Sequence, residues 1–128
     1  MKTVTVRFGR IDIHNDNDNW GSGELFFIGR IISSPGDNAD DTGLSDQVNK
    51  NSGEGWDDSR SVSVIVPDDG RVTVLYEGYD DDTTTQETLG SISDEYAGPE
   101  FGVGGHAQLS SNRKMTVSYY ISVTDVLS

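Results

Sequence analysis

A chain of 128 residues is the length of one domain, and 33% apolar residues with 15 glycines give it the composition of a globular protein rather than a disordered tail. Nine Lys/Arg against 22 Asp/Glu leave a net charge of −13 and a pI near 4.2, which excludes a nucleic-acid partner, because such a surface repels phosphate and offers no basic patch. No apolar run exceeds Leu25-Phe26-Phe27-Ile28, far short of the ~20 residues of a membrane-spanning helix, and the absence of cysteine removes disulfides, thiolate metal sites and cysteine nucleophiles together.

The opening residues Met1 to Val6 alternate polar and apolar and contain no apolar signal-peptide core. Val4, Val6 and Phe8 alternate with Thr5 and Arg7, and Ile11 and Ile13 then continue one residue out of step, so the pattern predicts a strand with a β-bulge beside Gly9. Glu24 to Ile32 is apolar on both faces in its middle and is predicted to be a central strand. Residues 34–60 are rich in Ser, Gly, Asp and Asn, with little apolar content beyond Leu44, Val48 and Trp56. A long connection of that kind is functional or disordered, and an ion or a neighbouring molecule is expected to hold it. Val62, Val64 and Val66 predict a third strand and Val72, Val74 and Tyr76 a fourth. Pro67-Asp68-Asp69-Gly70 between them reads as a hairpin turn, with Asp-Gly supplying a positive φ. Leu89 to Ser93 predicts a short strand. The last strand is the cleanest, with Met115, Val117, Tyr119, Ile121 and Val123 on one face and Thr116, Ser118, Tyr120, Ser122 and Thr124 on the other. As a Thr/Ser-rich edge, 114–124 is expected to offer pairing to a neighbouring copy. No window carries a period of 3.6 residues. The predicted fold is all-β: one domain over 1–128, an antiparallel two-sheet β-sandwich of about eight strands.

Two connections concentrate carboxylates. His14-Asn15-Asp16-Asn17-Asp18-Asn19-Trp20-Gly21-Ser22-Gly23-Glu24 separates the first and second strands, and Tyr79-Asp80-Asp81-Asp82-Thr83-Thr84-Thr85-Gln86-Glu87 follows the Arg71–Tyr79 strand. At an effective dielectric near 20, each pair of like charges 4 Å apart costs about 4 kcal/mol, so adjacent aspartates need a counter-charge. Calcium takes six to eight oxygens at about 2.3–2.6 Å from carboxylates, amide carbonyls and backbone, which is what both segments offer. Zinc would ask for the nitrogen or sulfur ligands this chain scarcely has. As an EF-hand, Asp16, Asp18 and Gly21 fill positions one, three and six, but position twelve is Phe27, so the loop is of another kind. Generic or halophilic acidity and a different cation are the competing explanations.

The spacing Asp18-x-x-Gly21-x-x-Glu24, followed by Leu25-Phe26-Phe27, resembles the first calcium loop of the calcium-dependent lipid-binding (C2) domain of synaptotagmin and protein kinase C. The run Asp80-x-Asp82, with Glu87 before Leu89-Gly90, resembles the third loop of the same family. Glu24 stands where that family has Asp, and no Pro-Tyr follows it. The resemblance covers residues 1–33 and 70–92. It implies an eight-stranded sandwich with both loops at one end, and it implies that Asp18, Glu24, Asp80, Asp82 and Glu87 ligate Ca2+, with Asp16 and Asp81 as further ligands.

The functional expectation is a calcium-stabilised module with a structural or protein-interaction role, self-assembling, on the cell surface or outside it. The alternative is calcium-dependent lipid or carbohydrate binding. Membrane docking is disfavoured by the −13 charge, although Trp20 offers an aromatic at the first loop's tip. Catalysis is not expected. His14 and His106 have no nucleophile to serve, Gly-x-Ser-x-Gly is absent, and the glycines of Phe101–His106 read as a tight turn.

Overall fold

The computed structural model describes residues 1–14, 23–81 and 86–126, with backbone alone at Asp81, Gln86 and Glu87. Alternation of apolar and polar residues organises these into strands. In chain order they are β1 (Lys2–Ile13), β2 (Gly23–Ser34), β3 (Ala39–Asp41), β4 (Val48–Lys50), β5 (Gly55–Asp57), β6 (Ser61–Val66), β7 (Arg71–Asp81), β8 (Gln86–Ala97), β9 (Gly104–Leu109) and β10 (Met115–Asp125). They form two five-stranded antiparallel sheets. In the first, β10 lies between β9 and β1, and both β5 and β6 pair with the far edge of β1; in the second, β7 lies between β8 and β2, and both β3 and β4 pair with β2.

The paired short strands are interrupted edges. Arg10–Asp12 of β1 faces β5, and Lys2–Arg7 faces β6 in the same direction. Along β2, Arg30–Ile32 faces β3 and Gly23–Leu25 faces β4. Across each break the ladder is carried by single bonds: Asp58 N–H to Gly9 O at 2.9 Å and Phe8 N–H to Arg60 O at 2.9 Å in one sheet, Thr42 N–H to Gly29 O at 2.9 Å and Ser45 N–H to Phe27 O at 2.8 Å in the other. Followed along their paths, the ten strands make eight, four to a sheet. Residues 34–60 are therefore secured by the protein's own backbone bonds, where an ion or a neighbour was expected.

Inward residues of both sheets close the core. Val4, Val6, Phe8, Ile11 and Ile13 of β1 and Met115, Val117, Tyr119 and Ile121 of β10 pack against Leu25, Phe27, Ile31, Val72, Val74 and Tyr76. The predicted bulge is present, since the β1–β10 register slips by one residue between Phe8 and Ile11. β2 is central, as its two apolar faces demand.

Two expectations are corrected. The segment 114–124 is an interior strand, because β10 pairs with β1 on one side and β9 on the other; a Thr/Ser-rich outer face marks solvent, not an edge. Residues 67–70 do not close a hairpin either, since β6 belongs to the first sheet and β7 to the second. The turn passes between layers, and Gly70 is outside the left-handed region. Glycine is needed there for close approach: a Cβ would lie 2.7 Å from Val66 Cγ2 and 2.8 Å from Ser34 O.

Candidate functional site

Antiparallel pairing fixes which connections share an end. β1 ends where β10 begins, with Ile13 opposite Met115. β2 begins where β7 ends, with Leu25 opposite Asp80, and β8 begins beside it, with Asp80 opposite Glu87. β4 ends there too, Lys50 facing Gly23. The turn from β4 to β5 is bonded to the end of β1 through Gly53 N–H to Ile13 O at 2.6 Å and Ile13 N–H to Glu54 O at 2.8 Å. The connections 15–22, 51–54, 82–85 and 110–114 therefore all attach to one end of the sandwich. Both acidic connections attach to that end.

Asp80, Asp81 and Glu87 come together at the β7–β8 strand ends, with Asp81 opposite Gln86 in the ladder. Asp80 is half-buried and continues the inward phase of Val72, Val74 and Tyr76. Its neighbour on β2 is the fully buried Leu25, so Glu24, one residue earlier, is exposed on the outer face beside Asn49. Strand pairing thus brings Glu24 and Asp80 to adjacent positions but turns them to opposite faces. Asp16, Asp18 and Asp82 lie outside the described residues. Among the described residues no group of three His, Asp or Glu side chains converges as a metal site. The donor set attached to this end is nonetheless one of oxygens: the described carboxylates of Glu24 and Asp80, with the Asn49 amide beside them. His14 is turned to β10, its Nε2 bonding Thr116 Oγ1 at 2.7 Å and its backbone N–H donating to Lys114 O at 2.7 Å. These residue types suit a hard cation better than zinc.

Sequence reasoning overlooked the basic residues that share this end. Lys50 closes β4, and Arg113 and Lys114 form the β9–β10 turn, which Asn112 ties to β8 by donating from Nδ2 to Leu89 O at 2.8 Å. They are scattered in sequence, so no basic run announces them.

A second polar centre was also missed. Asp58, with a fully buried side chain, takes Arg60 Nε at 2.5 Å and Nη2 at 3.0 Å, and accepts the hydroxyl of buried Tyr76. Arg60 donates onward to Gly43 O at 2.9 Å and Phe27 O at 3.1 Å. Its link to Asp58 raises the guanidinium's pKa, while burial foremost, and then the Asp58 charge, push the Tyr76 phenol far up. This triad joins the two interrupted edges.

No protein-family model and no curated protein sequence matches this chain. Solved structures do. A C2 domain of plant extended synaptotagmin 1 matches with a TM-score of 0.66 at 12% identity, over 98% of this chain and 96% of that one. A C2 domain protein from Ramazzottius varieornatus matches with a TM-score of 0.67 at 12% identity, over 98% and 89%. Human GIVD cytosolic phospholipase A2, solved with a fluorophosphonate inhibitor and terbium chloride, matches with a TM-score of 0.65 at 12% identity over 98% of this chain. The present chain spans 17% of that enzyme's length. The fold is that of C2 domains.

Proposed function

We propose that the chain is a calcium-binding, calcium-stabilised module whose acidic connections 15–22 and 82–85 hold Ca2+ between them and thereby tie the two sheets together at one end. The observation that carries this reading is the register Leu25–Asp80–Glu87, which attaches both connections to neighbouring strand ends. Asp16, Asp18, Asp80, Asp81, Asp82 and Glu87 are the ligands, with Glu24 the outlying one because of its outward phase. The proposed role is structural or interactive. Sites of the extracellular class have affinities of about 0.1–1 mM, and the proposed setting is calcium-rich fluid or a cell surface.

Calorimetric titration of the chelated protein with CaCl2 tests it. Saturable binding is expected, weakened by Asp80→Asn, and calcium at tenfold its Kd raises stability by about 1.4 kcal/mol. Absence of saturable heat at millimolar calcium overturns the reading. A second reading, calcium-dependent docking on anionic lipid, is favoured by Lys50, Arg113 and Lys114 at the same end. Cosedimentation with phosphatidylserine vesicles that requires both calcium and those three cations would select it.

A further inference from the structure

The outer face of the first sheet carries an open cleft of about 720 Å³, within the range of small-ligand sites. It arises from the bulge. Gly9 supplies no side chain where the strand turns outward, and Ser118 and Ala107, directly paired on β10 and β9, continue a floor of small residues. One wall is the row Arg7–Tyr120–Gly105, three cross-strand partners on one face. The Tyr120 ring lies across the glycine, its Cδ2 3.9 Å from where a Gly105 Cβ would sit, and it is 56% exposed. Asp57 and Ser59, beside the interruption of the edge strand, close the other side.

Among the described residues, no ion pair or hydrogen bond engages the side chains of Arg7, Asp57, Ser59, Ser118 or Tyr120. Arg7 and Asp57 line one cleft without meeting, so the space between them accepts a ligand that takes hydrogen bonds from one and gives them to the other. The two charges cancel, which disfavours phosphate and other anions, all the more in a protein of net charge −13. An exposed ring beside paired donors and acceptors suits a molecule with an apolar face and a girdle of hydroxyls, each both donor and acceptor.

The geometry points to a binding site for a neutral saccharide in this cleft, one pyranose stacked on Tyr120 and its hydroxyls bridging Arg7 and Asp57. The site is separate from the calcium-binding end, lying several residues down β1 and β10 from it, and it works without metal.

Titration of the full chain with maltotriose, cellotriose and chitotriose, followed by amide chemical shifts, tests the assignment with and without chelator. At least one trisaccharide is expected to shift Arg7, Ala107, Ser118 and Tyr120 equally in both conditions. Tyr120→Ala weakens binding about tenfold, the value of a lost aromatic stack, and Ala107→Leu blocks it by filling the floor while keeping every polar group. An unchanged unfolding midpoint shows that both variants fold. Lack of shifts with all three sugars, shifts confined to residues 24 and 80, or shifts abolished by chelator would each overturn the proposal. Calcium binding is read separately by calorimetry, so the two proposals fail independently.

Discussion

Replacing Asp58 by alanine removes the shared acceptor of Arg60 and Tyr76. The Asp58 side chain is wholly buried, whereas Arg60 retains 27% exposure. Breaking a buried ion pair costs about 3–5 kcal/mol, chiefly through the charge left behind, and the exposed part of Arg60 places the loss near the lower bound. The Tyr76 hydroxyl, stranded in the core, adds about 1 kcal/mol or more. A total near 4 kcal/mol is a large part of the roughly 5–15 kcal/mol that holds a domain together. Urea unfolding followed by circular dichroism in chelator measures it free of metal linkage. Hydrogen exchange should quicken at residues 42–45, which Arg60 ties to β2. The triple variant Asp58→Leu, Arg60→Met, Tyr76→Phe removes every charge and polar atom of the triad, and is expected within about 2 kcal/mol of the parent. If Asp58→Ala lost less than about 1 kcal/mol, or if the apolar triple lost as much as the single, uncompensated charge would not be the cause.

Gly29→Ala would set a Cβ 2.2 Å from Phe8 Cε2, and displacing that ring from the core is expected to cost about 1–3 kcal/mol; the urea midpoint reads this, and Phe8→Leu in the same chain should recover part of it. Alkaline pH offers a separate check. Burial above all keeps Tyr76 and Tyr119 protonated well above their ordinary 10.0. Above pH 10 the unfolded chain therefore holds fewer protons than the folded one. Their contribution is complete below that pH and is lost as pH rises, by up to about 1.4 kcal/mol per unit for each tyrosine. Midpoints between pH 9 and 12 should show this slope, reduced by Tyr76→Phe; a flat profile would contradict it.

Alternation made β1, β2, β6, β7 and β10 legible, because each has a buried face and a period of two leaves its mark over five or more residues. β3, β4 and β5 are Ala-Asp-Asp, Val-Asn-Lys and Gly-Trp-Asp, too short to display a period, and their pairing follows from the long strands they lie against. Which strands share a sheet was not legible. Pro67-Asp68-Asp69-Gly70 has hairpin composition, yet β7 pairs with β2 over ten residues and with β8 over eleven, lengths that six-residue β6 could not match. The acidic connections were conspicuous in sequence, but the faces of Glu24 and Asp80 depend on cross-strand register, which composition does not encode.

The buried charge has its origin in the broken edges. Where β3 gives way to β4, only Thr42 and Ser45 continue the ladder along β2, and Arg60 adds a second donor to the carbonyls of Gly43 and Phe27, which already accept Thr42 Oγ1 and Ser45 N–H. Each carbonyl carries two lone pairs, and a guanidinium with five donors can fill the second on several carbonyls at once. A cation so placed requires a counter-ion, and Asp58 lies at the matching break in the other sheet, between β5 and β6, where the strand's departure from regular pairing turns it inward. Its remaining oxygen capacity is filled by Tyr76. Each step creates the requirement met by the next, which is why Asp58, alone among the acidic side chains described, is buried. The turn from β4 to β5 carries the chain from the second sheet to the first at the end where both acidic connections attach, and the Asp58–Arg60–Tyr76 network joins the two edges that this turn links.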